Sequence, residues 1–189
     1  MSQIDIKLKE RGDTKEHYEL KKEIYLLFKS QKWVKEVYDE HKIKDIFPDL
    51  LVVGENPKIQ FAVECICRGY TAMTPKKVYK YCVYDIPVLY VIPLSCIKYI
   101  PKRRLCAVKY VYLYSKSKKR LILMQYTLLC ENVYAWNVDI SKEPTIVKIP
   151  YTYNKNKILK VPIFEFGKRL SLGEFLQLLF IEKRLMEAI

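Results

Sequence analysis

Two apolar runs on either side of a short polar turn constrain this chain more than any other feature. DIFPDLLVV (45–53) and IQFAVECIC (59–67) are rich in β-branched and aromatic residues, and GENPK (54–58) between them supplies turn formers. The pattern predicts a β-hairpin. Each run also carries one acid, Asp49 and Glu64, where a buried strand prefers none.

The flanking segments predict a mixed α/β core. DTKEHYELKKEIYLLFKSQKW (13–33) places Tyr18, Ile24, Tyr25 and Phe28 near one helical stripe, with Asp13 or Thr14 as N-cap. VKEVYDE (34–40) reads as a short strand. TPKKVYKYCVYD (74–85) reads as a helix with Thr74 as N-cap and Pro75 at its first position, and IPVLYVIP (86–93) as a buried strand. Beyond residue 100 the chain becomes β-rich, with a second hairpin around SKSKKR (115–120) and further strands in TIVKIPYTY and ILKVPIFEF. Ser171 opens a final amphipathic helix over 171–189. With 189 residues, no internal repeat and no long linker, one domain spanning 1–189 is expected.

Charge narrows the function classes. The 34 Lys and Arg against 21 Asp and Glu give a net charge of +13, which favours a polyanionic partner over a solvated surface alone. Basic clusters that fit phosphate contacts are Lys76 and Lys77 (with Lys80 nearby), Lys102, Arg103 and Arg104, and Lys118, Lys119 and Arg120. The N-terminus is polar and charged, and the longest apolar runs are short and broken by proline. These features predict an intracellular, cytoplasmic protein with no membrane partner. Six cysteines in apolar stretches are expected as buried thiols, and C-x-C with only two histidines gives no zinc-finger spacing. The Lys, Tyr and Ile bias, with few Asn and Gln, points to a thermophilic source, archaeal or viral.

In a hairpin, Asp49 and Glu64 come to neighbouring positions on one sheet. Two adjacent carboxylates repel unless a proton or cation intervenes, and hard oxygen ligands suit Mg²⁺. The stretch FPDLLVVGENPKIQFAVEC resembles the core of the PD-(D/E)xK nuclease superfamily, the restriction-endonuclease-like and Holliday-junction-resolvase-like enzymes, over residues 15–95. That resemblance implies a mixed sheet flanked by helices, with residues 100–165 as a β-rich extension. It implies metal-dependent hydrolysis of DNA phosphodiesters, Asp49 and Glu64 as ligands of Mg²⁺ or Mn²⁺, a helix acid at Glu19 or Glu23, and a homodimer. The family's Glu-x-Lys is broken here, because Ile66 stands at the lysine position. Arg68 shares that strand face, but a guanidinium is no base. Some relatives take the lysine from the following helix, which makes Lys76, Lys77 and Lys80 candidates. The alternative is a basic nucleic-acid-binding protein on a degenerate nuclease fold.

Overall fold

The computed structural model describes Leu8 and residues 14–67, 71–99, 110–125, 134–154, 157–165 and 168–170. The 171–189 helix, Arg68, Lys102, Arg103 and Arg104 lie outside these residues. Helix α1 (Lys15–Lys29) starts at Thr14, whose hydroxyl accepts the His17 N–H at 3.3 Å, and ends where the Ser30 N–H caps Leu26. Its buried face is Leu20, Lys21, Ile24 and Phe28, whereas Tyr18 and Tyr25 are only half-buried. The inward stripe is therefore turned from the one drawn through the tyrosines, and it includes a lysine. Phe28 anchors it, packing edge-on against Phe61 at 5.4 Å and Trp33 at 6.4 Å. Truncating Phe28 to alanine would cost about 3–5 kcal/mol.

Strands β1 (Val34–Asp39), β2 (Leu50–Gly54) and β3 (Gln60–Cys65) form an antiparallel meander. Strand β2 begins at Leu50, later than the apolar run. Pro48 has no N–H to donate, and Ile43 and Ile46 exchange two 2.9 Å backbone bonds that close a turn with Lys44 at φ 55°. The β2–β3 turn is closed by the Gly54 N–H to Ile59 O at 2.8 Å. A Cβ at Gly54 would sit 3.0 Å from the Ile59 Cβ, so this crossing favours glycine.

Helix α2 (Pro75–Val83), capped by Thr74, carries the chain across to β4 (Val88–Pro93), which runs parallel to β3. A parallel neighbour needs such a crossover. Strand β4 is apolar and buried on both faces, as parallel strands are. Strand β5 (Tyr110–Ser115) pairs parallel with β4, and β6 (Arg120–Gln125) turns back through residues 116–119. Strand β7 (Tyr134–Asn137) follows β6. The β8–β9 pair (Thr145–Asn154, Lys157–Glu165) is a separate two-stranded ribbon, and β10 (Lys168–Leu170) returns to β7. Among the described residues the main sheet thus has the order β1-β2-β3-β4-β5-β6-β7-β10, a mixed α/β sheet that the β-rich half extends. Tyr112, Tyr114 and Cys65 are buried within it, and Cys67 is buried just beyond β3. No helix among the described residues is long and apolar enough to cross a membrane.

Candidate active site

Asp49 sits one residue before β2. The β2–β3 register pairs Leu50 with Val63, so Asp49 lies across from Glu64, and its Oδ2 accepts the Cys65 N–H at 2.7 Å. Its backbone is held from the other side, where Asp49 O accepts the Glu40 N–H at 3.1 Å. The meander therefore fixes both the carboxylate and the main chain.

Glu64 points into the protein and is 2% exposed. Helix α2 brings two side chains one turn apart onto the same carboxylate oxygen. The Lys77 ammonium reaches Glu64 Oε1 at 2.7 Å, and the Tyr81 hydroxyl donates to that oxygen. Burial pushes the Glu64 carboxyl up to about 7, with nearby Asp49 adding to the rise; Lys77 and the Tyr81 bond oppose it. Tyr81 is pushed well up in turn, first by burial and then by the Glu64 charge. Of the three lysine candidates, only Lys77 is on Glu64. Lys80 pairs with Asp45 at 2.5 Å, and Lys76 is exposed.

The helix residue at this site is a histidine. His17 Nε2 is 3.2 Å from Asp49 Oδ2, while Glu19 and Glu23 each approach Lys116 at 3.7 Å. Those two acids line a separate cavity with Glu16, Cys67, Ser95, Cys96 and Tyr114. At 100° per residue, Glu19 lies about 200° around the helix from His17, so one orientation of α1 cannot bring both to Asp49. The helix acid expected at Glu19 or Glu23 is thus not beside Asp49 and Glu64. Glu40 is largely buried and pairs with Lys21 at 3.3 Å, whereas Asp45 is exposed. Lys118 and Lys119 are exposed in the β5–β6 turn, and Arg120 opens β6 half-buried. His41 stacks on Tyr38, 5.1 Å away.

Two residues of the site were not among those the sequence singled out for it. Tyr81 is one turn beyond Lys77 and so shares its face. His17 leads the sequence 17, 21, 24, 28, whose last three members are buried, a helical stripe visible once Phe28 is taken as its anchor.

Both contacts to Asp49 use Oδ2 and both to Glu64 use Oε1. Each acid therefore has a second oxygen that these bonds do not use. No group of three or more His, Cys, Asp and Glu side chains among those residues is placed to hold a metal by itself. Mg²⁺ needs no such cage, because it commonly binds through one or two carboxylates and fills its shell with water and substrate phosphate. Compared with known proteins, the chain matches no family model, no curated protein and no solved structure.

Proposed function

We propose that the protein is a metal-dependent nuclease of the PD-(D/E)xK type that hydrolyses DNA phosphodiester bonds, with Asp49, Glu64 and Lys77 as its central residues. The observation that carries this reading is Lys77 on Glu64 beside Asp49, a lysine supplied by α2 where Ile66 occupies the strand position. The order α1-β1-β2-β3-α2-β4, with an antiparallel meander and β4 parallel to β3, also supports a restriction-endonuclease-like core.

The donor set fits a hard divalent cation. Asp49 Oδ1 and Glu64 Oε2 are the oxygens that would hold Mg²⁺ or Mn²⁺, and a cation there would relieve the charge that burial makes costly on Glu64. Such an ion, when bound, acidifies water and offsets charge that develops on the phosphoryl group. The protein's own groups do the rest. Tyr81 and Lys77 hold Glu64 in one orientation, and His17 and the Cys65 N–H hold Asp49. Lys77, 30% exposed, is the most accessible of these side chains, with a proton to give or a water to orient. Nucleic acid is the partner, and a homodimer would let two sites address two strands.

The test is cleavage of supercoiled, linear, single-stranded and branched DNA with Mg²⁺, Mn²⁺ or EDTA. Cutting should need the metal, vanish in Asp49→Ala and Glu64→Ala, and fall about 10²–10⁴-fold in Lys77→Ala. Cutting that survives EDTA or both acid substitutions would overturn the reading. Salt-sensitive binding without any cutting would leave the alternative, a nucleic-acid-binding protein on a degenerate nuclease fold.

A further inference from the structure

The loop leading into Asp49 is more built than a simple connection needs to be. Its turn is closed by the reciprocal Ile43–Ile46 backbone bonds, and Lys44 holds a left-handed conformation, φ 55°, that an unbranched side chain adopts only when its surroundings require it. Ile46 plugs the turn into the core at 2% exposure. The next residue does the opposite. Phe47 is 45% exposed, two positions before Asp49, with the Lys42 ammonium 5.6 Å from its ring centroid. A rigid loop thus holds a large aromatic ring toward solvent beside the proposed site.

Phe47 forms one wall of a groove whose opposite wall is α2. Asp45, Ile46 and Phe47 face Thr74, Lys76, Lys77 and Lys80. Lys77 is shared with the catalytic cluster through Glu64, so the groove opens onto the reacting centre. Its cations are only partly neutralised. Lys80 is taken by Asp45, while Lys76 is exposed and Lys42 and Lys44 lie over Phe47 and Tyr84, the latter at 5.0 Å. A polyanion backbone suits the lysines, and an exposed ring suits the face of a base that has left its stack, since every base presents a π-face. A continuous duplex keeps its bases covered and offers Phe47 nothing comparable.

We propose that this groove binds a nucleic-acid strand with an unpaired base stacked on Phe47 and its backbone along Lys76, so that the substrate class is single-stranded or branched rather than continuous duplex. The inference deepens the nuclease reading and rests on it for the placing of the cut phosphate, but the groove is tested by binding alone. Fluorescence anisotropy in EDTA would compare a labelled single strand, a duplex with a single-stranded flap and a blunt duplex of equal length. Phe47→Ala should weaken the first two by about 5- to 100-fold and leave the blunt duplex within about twofold, and Phe47→Trp should retain wild-type affinity. Lys76→Gln should weaken all three alike and flatten the salt dependence by about one in slope. Equal loss on all three substrates in Phe47→Ala, or no loss on any, would overturn the proposal. Circular dichroism of Phe47→Ala separates a folding defect from a binding one, and Phe47→Trp keeps the test alive should the alanine variant misfold. Because nothing is cut in EDTA, failure of the nuclease reading leaves the strand-selective loss measurable.

Discussion

Two clusters of buried charge lie within a few residues of one another, and they are built to opposite rules. In the first, Lys21 is fully buried on α1, its Nζ 3.3 Å from both Asp39 Oδ1 and Glu40 Oε1, with the acids 14% and 9% exposed. In the second, the buried acid is Glu64, and its lysine partner is 30% exposed. The first cluster encloses a cation between two anions at the end of β1. The second leaves an acid short of compensation, so its proton affinity rises. A closed cluster locks α1 onto the meander; an open one keeps a charge change in reserve. The difference is one of exposure and stoichiometry, since both use the same residue types.

Removing the cation from each should separate them most sharply. Lys21→Met leaves Asp39 and Glu40 without the ammonium they enclose, a break that typically costs about 3–5 kcal/mol. Lys77→Met should cost markedly less, because Glu64, already near 7, can take up a proton in place of its partner. Urea unfolding of the two variants at pH 6 measures the gap. Adding Asp39→Asn and Glu40→Gln to Lys21→Met should restore much of the loss, as neutral replacements of buried ion clusters often do. Equal losses in the two single variants would mean that the clusters do not differ in kind.

The open cluster should also betray itself through pH. The folded-state value of Glu64, about 7, lies above its ordinary 4.5, so the native state binds this proton more tightly than the unfolded chain. The stability it contributes is fully present below 4.5 and is lost as pH rises through 7. The gap corresponds to about 3 kcal/mol. Glu64→Gln, which is neutral at every pH, should therefore match the wild type near pH 4 and exceed it by up to about 3 kcal/mol at pH 8, less whatever Lys77 loses with its counter-charge. Mg²⁺ should then stabilise the wild type at pH 8 and leave Glu64→Gln nearly unmoved. A glutamine variant weaker than wild type at pH 8 would show that Lys77 already compensates the carboxylate in full.

The same contrast explains which parts of the molecule were legible in the sequence. The β2–β3 hairpin was, because two runs rich in β-branched and aromatic residues and the GENPK turn bring residues 49 and 64 together once the strands exist. Helix α2 announced itself through Thr74 and Pro75, but the choice among Lys76, Lys77 and Lys80 depends on helical phase and on which carboxylate each can reach. Lys80 is three residues from Lys77 and still finds Asp45 instead of Glu64. The closed cluster was opaque. Lys21 looks like a solvated residue until its two acids, eighteen or more positions later, are seen to surround it. Drawing the inward stripe through Tyr18 and Tyr25 also turned α1 by about half a residue step, or about 50°. Glu19 and Glu23 were offered by the family resemblance, not by that stripe, and both lie on the opposite side of the helix from it. The β8–β9 ribbon could not be told from further strands of the main sheet, since pairing partners leave no mark on local pattern.

His17 stands between the two kinds of cluster and should give the smallest effect. It lies on the same inward stripe as Lys21, one turn earlier, yet its ring and the Asp49 carboxylate are 18% and 22% exposed, so water competes for both. If the contact only holds α1 to the sheet, His17→Gln keeps a hydrogen-bonding side chain and removes an interaction of about 0.5–1.5 kcal/mol at most. If it also sets the orientation of Asp49, the cost appears elsewhere. Divalent-cation binding, followed by the thermal shift that Mn²⁺ produces, should weaken several-fold in His17→Gln while stability in EDTA barely moves. Lys21→Met should show the reverse, a large loss in EDTA with the Mn²⁺ shift retained in whatever protein remains folded. A histidine variant that loses stability and keeps its Mn²⁺ response would assign His17 to the closed cluster, and the boundary between scaffold and site would then fall between α1 and Asp49.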